Sequence, residues 1–74
     1  MIDFRSHIEI IPGKRSGQPC IKGTRITVYD VLGWLAGEMT VDEILYDFPE
    51  INKHQILACL AYAAAGKNTV ALMR

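Results

Sequence analysis

Three times in this chain the same helix-start signature recurs: Thr27 with Asp30, Thr40 with Glu43, and Asn52 with Gln55. In each pair the first side chain can accept from the backbone N–H three residues on, and the second can reach back to the first residue's own N–H. An apolar residue just before each cap faces another inside the first turns: Ile26 with Val31, Met39 with Ile44, and Ile51 with Ile56. Such staples fix the angle at which a chain enters a helix. Three starts of this kind between residues 27 and 55 predict three short helices joined by tight turns.

Helix one is predicted over 28–36, where Val28, Val31, Leu32 and Leu35 fall on one helical face. Gly37 stands where a left-handed stop belongs. Helix two is predicted over 41–47, with Val41, Ile44, Leu45 and Phe48 as its buried stripe. Pro49 disfavours helical geometry at Phe48 and ends it there. Helix three is predicted over 53–65, with Gly66 as its stop and Ile56, Cys59, Leu60 and Ala63 facing inward; Leu57, Ala61 and Ala64 widen that stripe. The tail, 67–74, is apolar near its end.

Upstream, residues 1–6 carry no period and read as a loose end. His7–Ile11 alternates as a short strand with Ile8 and Ile10 inward. Pro12-Gly13 breaks it, and Cys20–Lys22 is placed to pair back onto it. Gly23 marks a backbone position that a bulkier residue would not tolerate. The fold expected is mainly α: a three-helix, homeodomain-like helix-turn-helix in one domain, 1–74, with an N-terminal β-hairpin or extended arm over 7–26.

With 74 residues, half of them apolar, the chain sits near the lower limit for folding on its own core. A homodimer or another partner is therefore expected. Apolar runs are too short to span a bilayer and no leader precedes them, so a cytoplasmic location without membrane contact is expected. Cys20 and Cys59 lie far apart and read as reduced thiols. Neither they nor His7 and His54 have metal-ligand spacing, and no cofactor is implied. Asp42, Glu43 and Asp47 form a carboxylate cluster, but the first two suit the positive end of helix two. No phosphate loop, nucleophile elbow or Cys–His pair is visible, so a non-enzyme is expected.

Charge is partitioned although the net is zero. Residues 1–25 hold Arg5, Lys14, Arg15, Lys22 and Arg25 against Asp3 and Glu9; residues 28–51 hold Asp30, Glu38, Asp42, Glu43, Asp47 and Glu50 with no Lys or Arg. This suits one face for an anionic partner and another for a basic one, or simply a solvated surface. A short turn between helices two and three is the helix-turn-helix arrangement, in which the leading residues of the second helix enter the major groove. Here those are Lys53, His54 and Gln55, with Arg25 and Lys22 as further DNA contacts. Beyond His54 the helix turns apolar, so Leu57, Ala58, Ala61 and Tyr62, joined by Leu72 and Met73 of the tail, read as a dimer or partner surface. Both readings stand, and they do not exclude each other.

The stretch Gly17-Gln18-Pro19-Cys20-Ile21-Lys22-Gly23-Thr24-Arg25-Ile26-Thr27-Val28 resembles the signature of the bacterial family called domain of unknown function 433. The acidic helix Thr40–Pro49 and the segment Ile56–Ala63 are similar to its later elements, so the likeness covers roughly residues 7–65. The resemblance implies an antitoxin of the VapB kind: a helix-turn-helix protein that binds operator DNA and neutralises a PIN-like nuclease toxin. Within the motif, Gly23-Thr24-Arg25 has a structural reading as well: Gly for a turn, Thr for a strand, and Arg paired with Asp30 or Glu38.

Overall fold

The computed structural model describes residues 3–72, with side chains from 3 to 66. Its elements are β1 (Ile8–Glu9), β2 (Cys20–Ile21), α1 (Val28–Ala36), α2 (Val41–Asp47) and α3 (Lys53–Leu72), with 3-10 turns at Phe4–Ser6 and Arg15–Gly17.

All three helices begin at reciprocal capping boxes. Thr27 Oγ1 accepts from the Asp30 N–H at 2.9 Å and Asp30 Oδ2 from the Thr27 N–H at 3.0 Å. Thr40 and Glu43 repeat this at 3.1 and 2.7 Å, and Asn52 and Gln55 at 2.9 and 2.8 Å. Each box occupies two of the N–H groups that a helix start leaves orphaned. The staple residues Ile26, Val31, Ile44, Ile51 and Ile56 are all buried, and they form the centre of the core with Ile8, Ile21, Val28 and Cys59. Met39 is partly buried against it. Burying one such Ile or Val side chain stabilises by about 1.5–3 kcal/mol.

The two strands pair antiparallel, Ile8 opposite Ile21 and Glu9 opposite Cys20. β1 is shorter than the alternation suggests: Ile10, expected inward, is 56 % exposed. With only two paired residues in β2, the chain past Glu9 has no ladder to join. The segment after β2 doubles back at once, with Ile21 N–H donating to Ile26 O at 2.9 Å and a Cys20–Thr27 bridge. Its tip is a β-turn closed from Thr24 N–H to Ile21 O at 3.0 Å. Gly23 takes φ +77 there, the left-handed third position that such a turn needs. Nothing lies within 4 Å of a Cβ at that site, so backbone conformation alone selects glycine.

Helix α1 ends differently from the expectation. Gly37 is not left-handed (φ −84); Glu38 is, with φ 72. Met39 N–H donates to Trp34 O and Glu38 N–H to Leu35 O, both at 3.0 Å, which makes this a Schellman stop one residue later than the glycine. Pro49 acts as expected: α2 stops at Asp47 and Phe48 leaves helical geometry. Trp34 of α1 then stacks on Phe48 at 4.2 Å between centroids, 11° between planes.

Helix α3 runs through Gly66 to Leu72. The run Ala63-Ala64-Ala65 has high helix propensity, and one interior glycine costs only about 1 kcal/mol. Two of its side chains exchange places relative to the expected face. Ala58 is fully buried, whereas Leu60, expected inward, is 40 % exposed. A helix apolar on all sides gives periodicity nothing to choose between. The N-terminus is not loose from Phe4 onward: its 3-10 turn packs on α3, with Phe4 edge-on to Tyr62 at 5.4 Å.

Candidate nucleic-acid interface

The turn Phe48–Asn52 carries the chain from α2 into α3, with Ile51 N–H bonded to Phe48 O at 3.1 Å and Ile51 buried beneath. That anchor leaves the leading end of α3 at the surface. Lys53 and His54 are both exposed. Gln55 is half-buried and its Oε1 is engaged by the Asn52 N–H, while Asn52 Oδ1 is engaged by the Gln55 N–H. Capping thus takes the two amides that base reading would use and leaves one cation and one imidazole at the positive end of a helix, a setting suited to phosphate.

Lys22 and Arg25 lie on a different element, the tip between Ile21 and Ile26, and both are exposed. The structural role expected for Arg25 falls to Arg15. Arg15 Nη1 donates to Asp30 Oδ2 at 3.2 Å and to the Arg25 carbonyl oxygen at 2.6 Å. The Arg25 guanidinium makes no ion pair among the described residues. Thr24, expected as a strand residue, instead closes the turn: its Oγ1 donates to Ile21 O and accepts from Ile26 N–H. On the far side of the tip, Glu9 Oε2 accepts from Lys14 Nζ at 3.0 Å and Gly23 N–H at 3.2 Å. Those two bonds, the Lys14 one foremost, hold the Glu9 pKa below its ordinary value.

The surface expected for a partner divides. Leu57 is 39 % exposed and Ala61 half-buried, but Ala58 is enclosed and cannot form part of an outward strip. Tyr62 is half-buried against Phe4. Leu72 as a side chain, and Met73 entirely, lie outside the described residues. The sequence reading missed Leu60 and also Tyr46, which is 86 % exposed. Tyr46 falls off the Val41, Ile44, Leu45, Phe48 stripe, and that offset was the signal. It lines a shallow concavity on α2 with Met39, Asp42, Glu43 and Asp47.

Neither thiol suggests chemistry. Cys59 is buried and burial pushes its pKa up to about 11, so it stays protonated near neutral pH. Cys20 is buried beside the Gln18 carbonyl oxygen. Among the described residues no three His, Cys, Asp or Glu side chains gather as a metal site, and no helix is long and apolar enough to cross a membrane.

The motif-bearing tip, the three capped helix starts and the turn before α3 all lie within residues 8–63, and a family model described as "Protein of unknown function (DUF433)" matches that span. The chain belongs to the DUF433 family. A crystal structure of a DUF433 member protein from Anabaena variabilis ATCC 29413 matches it with a TM-score of 0.79 at 24 % identity. The match covers 89 % of this chain but 65 % of that one, so this chain spans less than two thirds of the other's length. At that identity the likeness speaks for a shared DUF433 fold alone. Among curated proteins no match is found.

Proposed function

We propose that the chain is an antitoxin-like bacterial regulator of the VapB kind. In this reading α2 and α3 form the helix-turn-helix, a homodimer presents two copies of it to operator DNA, and the acidic helices neutralise a basic PIN-like nuclease. The observation that carries the reading is the exposed leading end of α3, Lys53 and His54, directly after a short anchored turn. Because capping engages Asn52 and Gln55, the contact favoured is to phosphate, with Lys22 and Arg25 as further cations. Phosphate contacts bring affinity and strong salt dependence but little base discrimination.

The experiment has two arms. Binding to a duplex from upstream of the protein's own gene is measured at two salt concentrations, and the protein is co-expressed with the product of the adjacent reading frame. A steep salt dependence together with a co-purifying, inhibited nuclease supports the proposal. Absence of both contradicts it.

A second reading, a protein-interaction module without DNA binding, is favoured by Leu57 and Leu60, apolar side chains left exposed on α3. It expects self-association or partner binding with no affinity for the duplex.

A further inference from the structure

Two neighbouring residues at the end of α2 run against the needs of folding. Tyr46 is 86 % exposed, the most exposed large apolar side chain among the described residues. Asp47 is the last residue of α2, where the helix dipole favours a cation and disfavours an acid. It also follows Glu43 by four residues, a like-charge spacing that weakens a helix. Glu43 itself is explained by its cap, since its Oε1 accepts from the Thr40 N–H at 2.7 Å. Tyr46 and Asp47 have no such role, and departures from local folding rules collect where a residue is kept for another purpose.

Both residues belong to one face. With Met39, Asp42 and Glu43 they line the shallow concavity on α2. Met39 is partly buried against the core, which fixes the apolar part of that lining beside the Tyr46 ring. Neither Asp42 nor Asp47 joins an ion pair among the described residues. Residues 28–51 contain no Lys or Arg, so the helices themselves supply no counter-charge. An open aromatic ring flanked by free carboxylates suits arginine in particular. A guanidinium is flat and weakly hydrated, stacks on aromatic faces and pairs side-on with carboxylates, whereas an ammonium is compact and strongly hydrated.

The described cations of the chain are already engaged. Lys14 pairs with Glu9, Arg15 with Asp30, and Arg5 lies over Phe4 at 6.0 Å from the ring centre. Lys22, Arg25 and Lys53 are those the functional reading gives to nucleic acid. We infer that the outer face of α2 docks an arginine-bearing segment of another protein, its guanidinium groups lying on the Tyr46 ring and pairing with Asp42 and Asp47. The inference rests on the partner half of that reading, in which acidic helices meet a basic protein, and names the face and the side chain it recognises. The head of α3 and the motif tip take no part, so this partner and nucleic acid are held by different residues.

The test is an NMR titration of the isotope-labelled full chain with a synthetic helical peptide of Arg, Leu and Ala. Two control peptides carry Lys or Glu in place of Arg. Neither duplex nor nuclease is present, so failure of this face and failure of the functional reading are read separately. We expect saturable shifts centred on residues 39–47 with the Arg peptide, binding of the Lys peptide about fivefold weaker or more, and none with the Glu peptide. Tyr46→Ala and Asp47→Lys each weaken the Arg peptide about tenfold or more. The unfolding temperature stays level in the first variant and rises in the second, because a cation there suits the helix dipole. Absence of shifts on α2, equal affinity for Arg and Lys peptides, or full affinity in either variant overturns the inference. A lower unfolding temperature for Asp47→Lys also overturns it, since Asp47 then serves the fold. Shifts on α2 that grow with the chain's own concentration, without peptide, give the face to a second copy and equally overturn it.

Discussion

Arg15 reaches past its own turn to Asp30, Nη1 to Oδ2 at 3.2 Å, and with the same nitrogen holds the Arg25 carbonyl oxygen at 2.6 Å. One cation thereby ties the Arg15–Gly17 turn, the motif tip and the cap of α1 together. Desolvation alone would raise the Asp30 pKa, but the Thr27 N–H, the Thr27 hydroxyl and Arg15 together outweigh it, and the pKa is lowered. A carboxylate with a depressed folded pKa contributes stability above its unfolded pKa of about 4 and loses it as pH falls through the folded value. Asp30→Asn is therefore expected to cost about 1 kcal/mol near neutral pH and to shrink that cost on acidification. Urea unfolding between about pH 6 and pH 3 checks both the size and the sign. An equal loss at every pH would exclude the charge as its source.

Glu38 holds a left-handed backbone (φ 72) at the end of α1, one residue after a glycine that does not need it. Glu38→Gly removes the Cβ clash of that conformation at the expense of a freer unfolded chain, and the net expected is a stabilisation of about 0.5–1 kcal/mol. Gly37→Ala tests the complementary point. Its Cβ would meet the Gly33 carbonyl oxygen at 3.4 Å, an ordinary contact, and Gly37 φ is negative, so little change is expected. Thermal unfolding reads both.

Trp34 and Phe48 link α1 to the end of α2 by a parallel stack at 4.2 Å. A double-mutant cycle with Trp34→Leu and Phe48→Leu is expected to give a coupling of about 0.5–1.5 kcal/mol. Because Trp34 is the single tryptophan, Phe48→Leu should also shift native fluorescence. Additive effects and an unchanged spectrum would contradict the stack.

Ala58 is enclosed, so Ala58→Leu is expected to overpack the core and destabilise by about 1–3 kcal/mol, while Ala64→Leu on the exposed side is expected to be near neutral. Comparing the two by urea unfolding tests the assignment of faces on α3.

The chain announces its helices because capping is local: each box needs only four consecutive residues, and all three formed. Strand pairing was legible too, since Ile8 and Ile21 stand in short apolar runs on either side of the Pro12-Gly13 break and do pair. The faces of α3 were not legible. With apolar residues on every side, only packing against α1 and the Phe4 turn decides that Ala58 goes in and Leu60 stays out. The Arg15–Asp30 pair was missed for a related reason: fifteen residues separate the partners, and Arg25 stands closer to Asp30 in sequence. Of the proposed site, the exposure of Lys53 and His54 followed from their place just inside a cap. Tyr46 was legible only as an apolar residue off the α2 stripe, a signal that a single aromatic among acids carries weakly.

The central claim is that the head of α3 meets phosphate, and one comparison tests it most directly. Wild type and Lys53→Ala are titrated against the upstream duplex at about 50 and 200 mM salt, with Lys22→Ala/Arg25→Ala as the companion for the motif tip. We expect Lys53→Ala to weaken binding on every duplex alike and to lower the magnitude of the log–log salt slope by about one per protomer. Affinity and slope identical to wild type would contradict that contact, and a wild type without affinity for the duplex at low salt would contradict DNA binding altogether.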